Sequence, residues 1–122
     1  MLKVWNVNSF DIISSFNFRD TPLSCFSINS KSNLIATGHT HGPIRILDLK
    51  KKNNENTKSL KSHSEYVSVI KYNNSRDNIL ASSDYCGNIK IWDLRADLPL
   101  YSISCHNESK IFDICWLAKF IR

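Results

Sequence analysis

The residue types able to do chemistry are present, but their spacing argues against most of it. Four cysteines, Cys25, Cys86, Cys105 and Cys115, lie far apart and form no C-x-x-C pair, so neither a zinc site nor a redox motif is expected, and they read as reduced, mostly buried thiols. His39 and His41 flank one residue in a Gly-containing turn, with no acidic or cysteine partner close by in sequence, and His63 stands apart. A metal ion is therefore not expected. Serines, histidines and aspartates are plentiful, yet no Gly-x-Ser-x-Gly elbow or Cys-His nucleophile arrangement occurs, so neither an enzyme nor a cofactor is expected. Lys50-Lys51-Lys52 has the charge to touch phosphates or aid nuclear import, but no aromatic residue is interleaved with it. It reads as a solvated loop, with RNA contact indirect or weak.

What must position these residues is one small unit. The chain has 122 residues, 42% of them hydrophobic, with 13 Asn and 17 Ser but only 3 Gly and 3 Pro. That composition fits a folded domain, not a collagen-like or disordered chain. No apolar run approaches the roughly 20 residues that cross a bilayer, and the first residues lack the apolar stretch of a signal peptide. The expectation is a soluble intracellular protein with no membrane contact and no small-molecule substrate. The formal charge of +5 is compatible with an acidic or RNA-rich setting but names no partner.

The chain repeats itself, and the repeat decides the fold class. Ile79-Leu80-Ala81-Ser82 leads through Asp84-Tyr85-Cys86-Gly87 to Ile89-Lys90-Ile91-Trp92-Asp93-Leu94. An apolar strand, a Gly-containing turn and an alternating strand make a hairpin. Forty-five residues earlier, Leu34-Ile35-Ala36-Thr37 leads through His39-Thr40-His41-Gly42 to Ile44-Arg45-Ile46-Leu47-Asp48-Leu49, in register. Leu2-Lys3-Val4-Trp5-Asn6-Val7 repeats the second strand alone. Shorter stretches precede each hairpin: Leu23, Phe26 and Ile28, then Val67, Ile70 and Tyr72, with Ile111, Ile114 and Trp116 as a third copy. Asp11 to Phe16 and Pro99 to Ile103 read as outer strands. Each full unit thus has four short strands, and no long segment shows a helical apolar period. The three tryptophans and most Ile, Leu and Val positions are expected in the core between sheets. A β-sandwich with coincidentally similar hairpins is the bland alternative.

These units resemble the WD-repeat family of β-propellers. The resemblance is carried by Trp92-Asp93-Leu94-Arg95, by His63 in the preceding loop, by Trp5-Asn6 and Leu47-Asp48 as degenerate dipeptides, and by Ser62-His63 and Cys105-His106 in place of the family's Gly-His pair. It implies an all-β fold of four-stranded antiparallel WD40 blades, here a partial propeller cut from a seven-bladed one. The implied organisation is the last strand of a blade in 1–10, blades in 11–50 and 51–95, and the start of a further blade in 96–122. The tail beyond Trp116 lacks the turn that should follow, which suggests a truncated or mis-spliced product with unpaired strand edges at both ends. The resemblance further implies a buried network of loop His, strand Ser or Thr, Trp and turn Asp. His63, Ser82 and Trp92 match, but Cys86 stands at the turn position, so Asp84 is the candidate substitute; in the earlier blade His41 replaces the turn Asp and Arg19 the loop His.

A His-less blade, a long polar loop, Ser-His, and Trp-Asp-x-Arg followed by Pro99-Leu100-Tyr101 together resemble the C-terminal blades of the WD-repeat ribosome-biogenesis factors that work with the pescadillo and block-of-proliferation proteins. The role implied is a nucleolar scaffold in large-subunit ribosomal RNA maturation, with protein partners that include another WD40 propeller. The chain has no ubiquitin-like segment of the kind those factors carry, and it has one extra residue between His106 and Ile111. The alternative is a substrate receptor of a cullin-type ubiquitin ligase, with Arg95 of the Trp-Asp-x-Arg signature contacting the adaptor and with the cytoplasm as the alternative location; Cys86 stands where that signature wants an acid.

Overall fold

The computed structural model describes residues 1–29, 31–51, 58–96, 98–104 and 109–117. Ten strands follow one another: β1 (Leu2–Trp5), β2 (Ile12–Phe16), β3 (Leu23–Asn29), β4 (Leu34–His39), β5 (Ile44–Asp48), β6 (Lys58–Leu60), β7 (Val67–Tyr72), β8 (Ile79–Asp84), β9 (Asn88–Asp93) and β10 (Pro99–Ser104). They form a two-stranded sheet, β1-β2, and two four-stranded sheets, β3-β4-β5-β6 and β7-β8-β9-β10, in which each strand pairs with its sequence neighbours. All pairings are antiparallel. Short polar turns make such meanders cheap, because consecutive strands need no crossover.

The two larger sheets are copies. Ile35 pairs with Leu47 and Leu80 with Trp92, a constant shift of 45 residues. Both also carry a register irregularity at the same place, between Leu23 and Cys25 and between Val67 and Val69. The second strands are buried on both faces, since every residue of β8 is buried and so are Ile35 to His39 of β4. This explains their small side chains. A strand sandwiched between sheets reads as a continuous run instead of an alternating one, and a Cβ on Gly38 would lie 2.6 Å from both Cys25 Sγ and Val67 Cγ1.

Sheet faces supply the core. Ala36, Ile44, Ile46 and Leu60 of the first four-stranded sheet meet Val67, Ile70, Tyr72, Leu80 and Trp92 of the second. On its other face Ile35 and Leu47 pack with Leu2, Val4 and Phe16 of the two-stranded sheet. The residue following each Trp or Leu closes the next turn with its side chain. Asn6 Oδ1 accepts from Asn8 N at 2.9 Å, Asp48 Oδ1 from Lys50 N at 2.9 Å and Asp93 Oδ1 from Arg95 N at 3.0 Å. Asn and Asp favour such side-chain turns.

Four expectations change. The 11–50 and 51–95 intervals do not coincide with sheets, because β2 pairs with β1 and β10 with β9; each outer strand joins the sheet before it in the chain. Trp5 is 52% exposed although Trp92 is fully buried, since β1 has a single partner strand among the described residues. Residues 111–117 run without regular strand structure, but they lie against the second sheet: Ile111 N reaches Asp84 O at 3.4 Å, and Trp116 Nε1 donates to Lys71 O at 3.2 Å. The cysteines are less buried than expected, with Cys25 and Cys86 half-buried and Cys115 exposed. Cys105, His106, most of the loop from Lys52, and the tail from 118 lie outside the described residues.

Candidate functional site

The densest polar constellation lies at one end of the second four-stranded sheet. His63 sits in the loop between β6 and β7. Its backbone N donates to Gly42 O at 3.0 Å, which fixes the loop against the β4-β5 turn. Only glycine allows this approach. Gly42 has φ +97°, and a Cβ there would lie 1.7 Å from His63 O, so both conformation and space demand the missing side chain. Ser62 Oγ also donates to Gly42 O, and Lys90 Nζ to Ser62 O.

Strands β8 and β9 bring the rest. Trp92 Nε1 donates to Ser82 Oγ at 2.9 Å, Ser82 Oγ lies 2.8 Å from His63 Nε2, and His63 Nδ1 lies 2.9 Å from Asp84 Oδ2. The donors order themselves. An indole N–H only donates and a carboxylate only accepts, so His63 carries its proton on Nδ1 and Nε2 accepts from the Ser82 hydroxyl. Asp84 Oδ1 also accepts from Cys86 N and Asn88 N, both at 2.9 Å, and Oδ2 from Asn88 Nδ2 at 3.0 Å. Burial alone would raise the Asp84 pKa, but the Asn88 hydrogen bonds and His63 together bring it below the usual carboxylate value. Burial pushes the His63 pKa down, against the opposing pull of Asp84, so the ring is held neutral.

The Ser-His-Asp order is that of a hydrolase triad, but the surroundings are not. Ser82 is wholly buried and its oxygen receives the Trp92 N–H. The adjoining cavity, about 270 Å³, is bounded by His63, Asp84 and Lys90 and does not reach Ser82. What the arrangement does is pin a loop and two strands to one another. His63, Ser82, Asp84 and Trp92 are thus brought together, with Asp84 in the place expected for a substitute carboxylate. Arg95 is not among them. It lies at the other end of the sheet, where its Nη2 and Nε contact Asp93 at 2.7 and 3.0 Å, holding the Asp93 carboxyl well below its usual pKa.

The first four-stranded sheet solves the same problem differently, and residue reasoning missed how. His39 occupies the register position of Asp84, and Thr37 that of Ser82. With no loop histidine available, His39 turns its own ring inward: Nε2 lies 2.9 Å from Thr37 Oγ1 and Nδ1 lies 2.7 Å from Thr21 O. Phe18 packs edge-on at 4.7 Å between ring centroids. The ring-on-hydroxyl contact is kept, supplied from a strand. The available signal was the 45-residue shift linking His39 to Asp84; His41 is exposed in the turn. Among the described residues no group of three or more His, Cys, Asp or Glu side chains is arranged to hold a metal.

Repeated four-stranded meanders packed face to face, each tied by a ring-on-hydroxyl contact, define a partial WD40-type β-propeller. A solved structure titled "Crystal Structure of Mitotic Checkpoint Complex" superposes over 93% of this chain and 33% of its own chain with a TM-score of 0.82, at 23% identity. No protein-family model matches the chain. Over 94% of its length it is 34% identical to "Ribosome biogenesis protein YTM1" of Lodderomyces elongisporus, of which it covers 25%. It is 29% identical over 89% of its length to "Ribosome biogenesis protein WDR12 homolog" of Dictyostelium discoideum, covering 24% of that protein. "GATOR2 complex protein Wdr24" of Drosophila melanogaster is 30% identical over 89% of the chain, which covers 15% of it. The chain spans about a quarter of the ribosome-biogenesis relatives it matches.

Proposed function

We propose that this chain is the blade-bearing part of a ribosome-biogenesis scaffold, acting in the nucleolus on the maturing large subunit by holding other proteins, another propeller among them, and not by catalysis. The observation that supports it is likeness to YTM1 and WDR12 proteins of yeasts and of Dictyostelium along nearly the whole chain. The buried state of Ser82 agrees with a scaffold, because a surface that recognises partners needs rigid blades and no reactive group. Arg95 reads as part of its own turn, committed to Asp93, which speaks against the ligase-receptor alternative.

The test is purification of the tagged chain from growing cells. Precursors of large-subunit ribosomal RNA should co-purify, and Arg95→Ala should leave their yield unchanged. Recovery of a cullin adaptor in place of those precursors, lost in Arg95→Ala, would refute the proposal.

A further inference from the structure

A cavity of about 510 Å³ is walled on one side by Ile13, Ser14, Ser15 and Phe16 and on the other by Leu49, Lys50 and Lys51. Successive strand residues point to opposite faces. A cavity bounded by four consecutive ones therefore runs along the edge of β2 and not over either face. That edge is open, because β2 pairs only with β1 among the described residues. The opposite wall is the turn that follows β5, belonging to the next sheet.

We infer that this groove docks an extended acidic peptide from a protein partner, which adds a strand to β2 and sets its carboxylates on Lys50 and Lys51. Three features agree on that occupant. An open edge offers a row of backbone donors and acceptors, which an extended chain satisfies and a nucleic acid does not. Ile13, 59% exposed, and the half-buried Phe16 and Leu49 offer apolar contact to alternate side chains. The charged groups in the wall are Lys50 and Lys51, both exposed. The carboxylate nearest in sequence, Asp48, is turned to its own backbone, accepting from Lys50 N. Among the described residues lining the groove, Phe16 is the one aromatic and it is half-buried, so no row of exposed rings stands beside the lysines to stack successive bases, which disfavours single-stranded RNA.

The inference deepens the scaffold reading and rests on it in one respect only, that the chain works by binding proteins. Its test uses the purified chain and three fluorescent probes: an acetylated heptapeptide alternating glutamate with valine and leucine, the same peptide with lysine for glutamate, and oligouridylate. The acidic peptide should bind, and Lys50→Glu with Lys51→Glu should weaken it at least tenfold. Ile13→Asp should weaken it comparably, while Arg76→Glu, an exposed cation elsewhere, should change it less than twofold. These side chains are exposed, so the variants should melt as the parent does. Equal binding of the basic peptide, indifference to the charge reversals, or tighter binding of oligouridylate through the same lysines would overturn the inference. So would concentration-dependent dimerisation abolished by Ile13→Asp, which would show that a second copy takes the edge. Because the titration involves no ribosomal particle, its failure strikes the groove alone, and failure of the purification strikes the biogenesis reading.

Discussion

Removing Asp84 tests whether the buried network carries the second sheet. In Asp84→Ala four donors lose their acceptor: His63 Nδ1, Cys86 N, Asn88 N and Asn88 Nδ2. The histidine donor is buried and has no replacement; stranding such a group costs about 1–3 kcal/mol. The other three lie on half-buried residues, where water recovers part of the loss, leaving about 0.5–1 kcal/mol each. Release of a buried carboxylate offsets some of this. The net expectation is a destabilisation of about 3 kcal/mol, a large share of the roughly 5–15 kcal/mol typical of a folded domain. Equilibrium urea unfolding of the chain, followed by tryptophan fluorescence, reads it directly, with exposed Ser102→Ala as the control. A second readout separates the network from general damage: in the parent, imidazole ¹⁵N shifts should place the His63 proton on Nδ1, and in Asp84→Ala that preference should vanish. A loss of stability no greater than that of Ser102→Ala, with the tautomer unchanged, would refute the argument.

Trp92→Ala should cost about 3–5 kcal/mol, from lost burial and the cavity left, and abolish a cooperative melt; an unchanged melting curve would contradict its place in the core. Gly42→Ala should destabilise more than Gly38→Ala under urea, because its Cβ meets the His63 backbone carbonyl, whereas at Gly38 it meets the side chains of Cys25 and Val67. Acid should weaken the fold in two stages. His39 and His63 are held neutral, both chiefly by burial, so their folded pKa values lie below the unfolded ones. Their contribution is present above about pH 6.5 and fades as pH falls below it. The lowered pKa of Asp84 acts the same way, its contribution fading from about pH 4 downward. Melting temperatures measured from pH 7.5 to 3 should fall throughout, and in His39→Gln the first stage should shrink.

Most of the architecture was legible in the chain. Strands of three to seven residues with turn residues between them, repeated at shifts of 44 and 45, state a recurring four-stranded unit because alternation and turn chemistry are local. His63, Ser82 and Trp92, with Asp84 as the substitute acid two residues from Cys86, were expected from the resemblance to WD repeats and not from alternation. Pairing across sheets was not. Whether Asp11 to Phe16 joins the strands before it or after it depends on which edge is nearer, and sequence order alone does not decide between two antiparallel neighbours. The same holds for His39, which the chain shows as half of a His-x-His pair and the fold turns into the partner of Thr37. Tertiary packing decided that, because a buried hydroxyl must find a partner and, with Arg19 where the loop histidine would fall, the nearest ring able to reach it came from the strand itself. The groove at β2 was equally hidden, since its walls lie more than thirty residues apart in sequence and belong to different sheets.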